Sequence, residues 1–263
     1  MDVIEIIREA VYYPLNDTKG WGLIAAIFVV VGILQQLAIQ YPDSATIFHF
    51  FTFIVSIFLA GVNLSIIKGT IDGKSRIPMF DPVKNVIDGI KNILVEVIYY
   101  IIPVIITLII ALIAGVFPKT EAFITSINST ALTSTNSVSI LSTVPRNVIQ
   151  DLVVSIGIVA IAAFILFVVF ALLLIIGQAR LADTEDVFAA VNIQEVFAKI
   201  SSIGWGNYII FIILLLVLVF VVGFVGGLVA LIPYVGKIIE SVVFGSYLLI
   251  VIAHAVGLIY LEG

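Results

Sequence analysis

Six long apolar runs dominate this sequence and constrain its fold more than any other feature. The runs are Trp21–Ile39, Ala45–Ile67, Val95–Val116, Leu152–Gly177, Asn207–Leu231 and Ile238–Tyr260. Each holds almost no charge, and about 20 mainly apolar residues are enough for a helix to cross a bilayer. Charged residues make up 11% of the chain, and the mean hydropathy is +1.28, whereas a soluble domain has about 25% charged residues. The sequence therefore predicts an all-α integral membrane protein, a single polytopic domain over 1–263 with six transmembrane helices in three hairpins.

Charge and cysteine content exclude several classes of function. The net charge of -5 argues against nucleic acid as a partner, because binding phosphate backbones needs a basic surface. The chain has no cysteine, which excludes disulfides, thiolate metal sites and cysteine nucleophiles. The acidic start, with Asp2, Glu5 and Glu9, does not fit the basic beginning of a cleavable signal peptide.

The segment Thr70–Leu94 separates the second and third apolar runs and carries much of the charge. Asp81-Pro82 is typical of a helix N-cap followed by proline at the first helical position. The apolar residues that follow share one helical face: Val83, Val86, Ile87, Ile90, Ile93 and Leu94. The opposite face has Lys84, Asn85, Asp88, Lys91 and Asn92. We therefore predict a short amphipathic helix lying at the membrane interface.

Two other segments show the same pattern. Met1–Leu15 places Val3, Ile6, Ile7, Ala10 and Tyr13 on one face. Arg180–Gly204 aligns without gaps with Thr70–Leu94, and its apolar face has Ile193, Val196, Phe197, Ile200 and Ile203. In this third segment Asn192 and Glu195 resemble a capping box. Each segment precedes two spans, so we predict a threefold repeat with units of about 1–68, 69–178 and 179–263.

The distribution of basic residues predicts the orientation in the membrane. With the N-terminus inside, nine of the 12 Lys and Arg residues lie in inner segments. These nine are Arg8, Lys19, Lys68, Lys74, Arg76, Lys84, Lys91, Arg180 and Lys199, and the outer three are Lys119, Arg146 and Lys237. Because short cytoplasmic segments are enriched in Lys and Arg, we expect both termini and all three amphipathic helices to be cytoplasmic, in the plasma membrane.

The stretch 117–147, rich in Ser and Thr, then lies outside. We expect it to form an exposed loop. It contains the sequon Asn128-Ser129-Thr130, which is either a glycosylation site or a chance match in a stretch rich in Ser, Thr and Asn.

Few polar side chains lie within the spans. The candidates for a functional role are Gln35, Gln36, His49, Asn63 and His254, although such residues most often bond to a neighbouring helix or lie near the interface. His49 and His254 fall toward opposite faces of the bilayer, so we expect them not to share a metal. Gly223 and Gly227 have the spacing that permits close helix packing. No motif indicates a catalytic residue, a cofactor or a metal.

Three classes of function remain open. The sequence favours a non-enzymatic scaffold, partner-docking or membrane-organising protein, because three interfacial helices on one leaflet suit that role. The alternative is a transporter or channel for an apolar, lipid-like or small solute, since ion transport usually leaves ionisable residues inside the spans. An intramembrane enzyme is less favoured. The expected partners are membrane lipids, with a protein partner or a second copy of the chain as further possibilities.

Three stretches carry a resemblance to a known family. They are AVYYPLND before the first span, IPMFDPVKNVIDGIKNIL after the second, and ALIPYVGKIIESVVFGSYLLIVIAHAVGLIY at the end. The chain resembles the uncharacterised membrane proteins grouped as domain of unknown function family 4013, found largely in archaea. That resemblance implies the same architecture, with recurrent residues at Asp81, Asp88, Gly89, Pro233 and Gly236. It implies no activity, and it leaves 117–147 as an elaboration of this protein.

Overall fold

The computed structural model describes residues 2–131 and 144–263, without the side chains of residues 129–131. In chain order the helices are α1 (Val3–Asn16), α2 (Thr18–Gln40), α3 (Ala45–Ile71), α4 (Pro82–Ile113), α5 (Val116–Ala131), α6 (Arg146–Thr184), α7 (Val187–Ala190), α8 (Ile193–Ile203), α9 (Trp205–Ala230) and α10 (Gly236–Leu261). Within the described ranges, six helices are long and apolar enough to cross a membrane: α2, α3, α4, α6, α9 and α10. The predicted all-α class and its six spans are confirmed.

The chain forms two compact units, and the boundaries between them fall within α4 and within α6. Unit 1 comprises Met1–Glu96 and Leu173–Gly263, and unit 2 comprises Val97–Leu172. In unit 1, α3 packs against both α2 and α10, and α1 lies against α10. In unit 2, Tyr99 of α4 meets Phe170 of α6, with ring centroids 6.5 Å apart.

The first and third amphipathic helices form as the sequence predicts. In α1, Val3, Ile6, Ala10 and Tyr13 are buried, and Asp17 ends the helix before α2 begins. In α8, the buried residues are Val196, Ile200 and Ile203. Gly204, with φ 92°, separates α8 from α9, because that backbone conformation is open mainly to glycine. Both helices turn their apolar faces into unit 1.

The second amphipathic segment differs from the prediction in two respects. It is the first part of α4, which continues without a break into the membrane span. Its apolar residues point outward, and the exposed fractions of Val83 and Ile87 are 71% and 49%. Asn85 and Asn92 belong to the polar face, which we expected to point toward water, yet each is only 2% exposed. That placement was wrong, because in a membrane the apolar face can meet lipid while polar groups bond within the protein.

Two glycines set how closely α3 and α4 approach. A Cβ on Gly61 would lie 1.7 Å from the carbonyl oxygen of Asn85, and a Cβ on Gly89 would lie 1.8 Å from that of Ile57. This approach brings Asn85 Nδ2 to 2.8 Å from Ser65 Oγ, to which it donates a hydrogen bond. The three amphipathic segments therefore do not share one form, and the threefold repeat is not confirmed.

The glycine pair predicted to mediate helix packing has no such role within the described chain. A Cβ at Gly223 or at Gly227 would meet nothing within 4 Å. The packed glycine of α9 is Gly226, which lies against the Phe244 ring of α10. Gly223 and Gly227 lie on the side of the helix that points away from unit 1.

The predicted outer loop is partly helical. Its residues up to Ala131 belong to α5, and Lys119 on this helix donates hydrogen bonds to the Ala114 carbonyl, at 3.0 Å, and to Ser155 Oγ. Asn128 is exposed on α5. The remainder of the stretch up to residue 143 lies outside the described residues.

Candidate functional site

Several segments meet at one end of unit 1, which we call the terminal face. Tyr260 near the end of α10 donates a hydrogen bond to Asp183 Oδ2 of α6 at 3.0 Å. Lys199 of α8 donates to the Gly263 carbonyl at 2.7 Å, and Lys68 of α3 donates to Glu185. The terminal face therefore combines the last turns of α3, α6 and α10 with α8 and the beginning of α4.

A cavity of about 190 Å³ opens at the terminal face. Its lining contains four lysines and three carboxylates: Lys68, Lys74, Lys84, Lys91, Asp81, Asp88 and Glu185. With all of these groups ionised, the lining carries one excess positive charge. Asp81 is committed to capping α4, since its Oδ1 accepts the backbone N–H of Lys84 at 3.1 Å, as the sequence predicted.

Glu185 is the residue on which three of the lysines converge. Its Oε1 accepts hydrogen bonds from Lys68 and from Lys84, the latter at 2.9 Å, and its backbone carbonyl accepts from Lys91 at 3.0 Å. It follows the last residue of α6 in a left-handed conformation, with φ 57°, which is uncommon outside glycine. The hydrogen bond from Lys68, followed by that from Lys84, lowers the pKa of Glu185 to about 2. Glu185 is therefore an anion at neutral pH.

The charged cavity adjoins an apolar surface. A recess of about 310 Å³ shares five of its charged residues and adds Val83 and Ile87. Met79, two residues before Asp81, also lines the charged cavity and is 90% exposed. Cationic and apolar groups thus lie side by side at the end of the membrane spans, which is the arrangement that an amphiphile with an anionic head would meet.

A second polar cluster lies where α1, α3 and α10 meet. The rings of Tyr13 and His254 are stacked, with centroids 3.6 Å apart. His254 Nδ1 lies 2.7 Å from Thr70 Oγ1, and His254 Nε2 lies 3.7 Å from Glu9 Oε1. Burial raises the pKa of Tyr13 to about 12, with a smaller contribution from Asp17. This cluster fastens the amphipathic helix α1 to two spans.

The other polar candidates lie elsewhere in unit 1. Gln35 and His49 line a shallow recess of about 330 Å³ together with Thr52 and Lys237, whereas Gln36 and Asn63 are half-buried. Along α3, His49 precedes Thr70 by 21 residues, which is about 31 Å at the helical rise of ~1.5 Å per residue. His49 and His254 are therefore at opposite ends of α3, as the sequence indicated. In the described ranges, no group of three or more His, Cys, Asp or Glu residues is placed to hold a metal.

The sequence singled out some of these groups and missed others. It located Asp81, Pro82 and the apolar residues Val83, Val86, Ile87 and Ile90, and it flagged His254. It missed Glu185, which lies 101 residues from Lys84, and Thr70, which lies 184 residues from His254. No local pattern marks a pair that only the tertiary fold brings together.

Comparison with known proteins gives one match. The family model described as "Protein of unknown function (DUF4013)" matches residues 44–231. That range includes α3, α4 and α6, and hence every residue that lines the charged cavity. The searches of curated proteins and of solved structures gave no match.

Proposed function

The chain belongs to this DUF4013 family of proteins of unknown function, and we propose that it is a non-enzymatic membrane protein that organises the cytoplasmic leaflet of the plasma membrane. Its partners in this role are membrane lipids. The terminal face, with both termini, is the cytoplasmic end, because nine of the 12 basic residues belong to the segments at that end and basic residues favour the cytoplasmic side.

The observation that carries the proposal is the exposure of large apolar side chains at the terminal face. Ile4 is 66% exposed, Met79 is 90% exposed and Phe188 is 82% exposed, and they come from three separate segments outside the spans: α1, the connection before α4 and α7. Full burial of such a side chain is worth about 1.5–3 kcal/mol. At the end of a set of membrane spans the available apolar phase is the lipid itself. All three segments therefore insert into one leaflet and hold it against the protein.

A transport role for an apolar or lipid-like solute is the second candidate. It is favoured by a wholly apolar recess of about 240 Å³ in unit 1, lined by Trp21, Val221, Val225 and Phe244 among others. This recess lies between residues of α2, α9 and α10. It would admit an acyl chain but offers no continuous path for a polar solute.

Depth measurements in vesicles test the proposed function. The chain has no native cysteine, so single-cysteine variants M79C and F188C can carry a polarity-sensitive fluorophore. We expect spin-labelled lipids to quench both labels strongly. A matched label at Q194C, on the exposed side of α8, should stay in water. Unquenched labels at Met79 and Phe188 would contradict the proposal, and lipid-analogue flux above that of protein-free vesicles would favour transport.

A further inference from the structure

We infer that the charged cavity at the terminal face binds the phosphate of an anionic phospholipid, held by Lys68, Lys84 and Lys91. This inference rests on the proposed function and gives it a specific lipid class. Glu185 acts in this site as an internal competitor for the phosphate.

The charge distribution supports an anionic ligand. Lys68 and Lys84 both donate to Glu185 Oε1, so their ammonium groups lie within about 6 Å of each other, two hydrogen-bond lengths. Among the described residues, Lys91 meets the Glu185 carbonyl at 3.0 Å and Asp88 at 3.9 Å. Like charges held this close repel one another. One carboxylate shared between two ammonium groups leaves room for a further anion, and a phosphodiester monoanion would balance the excess positive charge of the lining.

The size of the cavity indicates what part of a ligand it takes. At about 190 Å³ it is smaller than the pockets of roughly 300–1,000 Å³ that enclose drug-sized ligands. It therefore accommodates a phosphate-bearing head and leaves the rest of the molecule outside. Ammonium groups bind phosphate as point charges and do not demand one orientation, which suits a headgroup entering from a fluid membrane.

The surroundings of the cavity favour a lipid over a soluble phosphate. The adjoining recess places Val83 and Ile87 directly beside Lys84 and Lys91. Ile90, 48% exposed, lies one turn beyond Ile87 along α4 toward the membrane interior. An acyl chain attached to a phosphate in the cavity would run along this line of apolar side chains, and a soluble phosphate ester would gain nothing from it.

The proposal predicts opposite effects on lipid affinity for substitutions of Glu185 and of the lysines. The Glu185 carboxylate already neutralises Lys68 and Lys84, so an incoming phosphate must share or displace it. E185Q keeps the shape of the side chain and removes the charge, leaving both ammonium groups available. We therefore expect E185Q to bind the anionic lipid more tightly. In contrast, K84Q and K91Q remove ligands and should bind it more weakly.

The experiment is a lipid titration of the purified full chain in mild detergent, followed by native mass spectrometry. The probes are short-chain phosphatidylglycerol and, as the uncharged comparison, phosphatidylcholine. We expect one phosphatidylglycerol to bind in preference to phosphatidylcholine. Loss of a charge-assisted hydrogen bond typically weakens binding about tenfold or more, so K84Q and K91Q should each lose that much. K237Q, on a lysine at the other end of unit 1, should bind as the unaltered chain does.

The outcomes separate the alternatives. Equal binding of the two lipids, unchanged affinity in K84Q and K91Q, or weaker binding in E185Q would each overturn the inference. Glycerol 3-phosphate that competes with phosphatidylglycerol supports recognition of the phosphate, whereas binding of glycerol 3-phosphate without any binding of the lipid would contradict the lipid as ligand. If the Met79 and Phe188 labels lie in lipid while no lipid preference is found, the site fails and the proposed function stands. If those labels stay in water, the proposed function fails whatever the titration gives.

Discussion

Glu185 connects three parts of the chain that are far apart in sequence. It follows α6. Its carboxylate accepts hydrogen bonds from Lys68 of α3 and Lys84 of α4, and its backbone carbonyl accepts one from Lys91 of α4. Its side chain is 43% exposed, so solvent and salt screen these ion pairs. The ammonium groups of Lys68 and Lys84 nevertheless share one carboxylate and form a small network. Removal of the Glu185 charge would leave these two positive charges close together with no carboxylate between them.

The stability contributed by Glu185 should depend on pH. Its pKa falls from the ordinary 4.5 to about 2 in the folded protein. The stabilisation is therefore fully present above about pH 4.5 and is lost as the pH falls toward 2. We expect E185Q to lower the thermal unfolding temperature in detergent at pH 7 and to match the unaltered chain near pH 2. E5Q, which removes an exposed pair with Arg8, should have little effect, and a constant E185Q difference at every pH would contradict the prediction.

Substitution of Thr70 tests whether the polar cluster around His254 stabilises the protein. T70V keeps the shape of the side chain and removes the hydroxyl that lies 2.7 Å from His254 Nδ1. Because His254 is only 4% exposed, loss of a partner for a buried polar atom should destabilise the protein by about 1–3 kcal/mol. T52V is the matched control, since the Thr52 hydroxyl donates only to the Phe48 carbonyl one turn earlier. Chemical unfolding in mixed micelles measures both, and equal values would contradict the assigned role of Thr70.

These residues show which parts of the site the sequence could predict. The caps formed by Asp81 and Asn192 were predictable because a cap involves only residues within one turn. His254 was recognisable as a polar residue in an apolar run. The contacts of His254 with Thr70 and of the lysines with Glu185 were not predictable, because each spans more than 90 residues and depends on how the spans pack.

At the level of the helices, α4 shows the limit of amphipathic patterns. The sequence correctly separated its polar face from its apolar face. It could not decide which face packs inward, because lipid receives an apolar face as readily as a protein core does. Asn85 and Asn92 pack inward, where their amide Nδ2 groups donate to Ser65 and Glu96, respectively, so that both buried donors are paired within the protein.

The close approach of α3 and α4 should make two glycines intolerant of any side chain. In G61A or G89A the new Cβ would lie less than 2 Å from a backbone carbonyl oxygen, so one helix must shift. Overpacking of this kind costs typically 1–3 kcal/mol, and more when backbone must move. G223A and G227A are the controls, because a Cβ there meets nothing within 4 Å. We expect lower unfolding temperatures only for the first pair, and the opposite ranking would show that α3 and α4 do not cross at these glycines.

At the scale of the whole molecule, the number of spans follows from composition, whereas the internal symmetry does not. Each span is set by its own apolar run, so six runs give six helices. A threefold repeat requires the three segments to pack equivalently, and they do not: α1 and α8 bury their apolar faces, whereas the first part of α4 exposes its own. Periodicity describes one helix at a time and holds no information about its neighbours.

The basic residues predict the orientation of the whole molecule in the membrane. Nine of 12 Lys and Arg residues lie in the segments that join the spans on the side of both termini, and moving so many positive charges across the membrane is opposed during insertion. Ser75 is exposed in the connection before α4, and Glu121 is exposed on α5, which follows α4. The predicted topology has α4 cross the membrane once, so we expect these two residues on opposite sides. In intact cells an impermeant thiol reagent should therefore label E121C and spare S75C, while permeabilised cells should show both labelled. The reverse pattern would move the lysine cavity to the outer leaflet, and the lipid bound there would then have to be an outer-leaflet one.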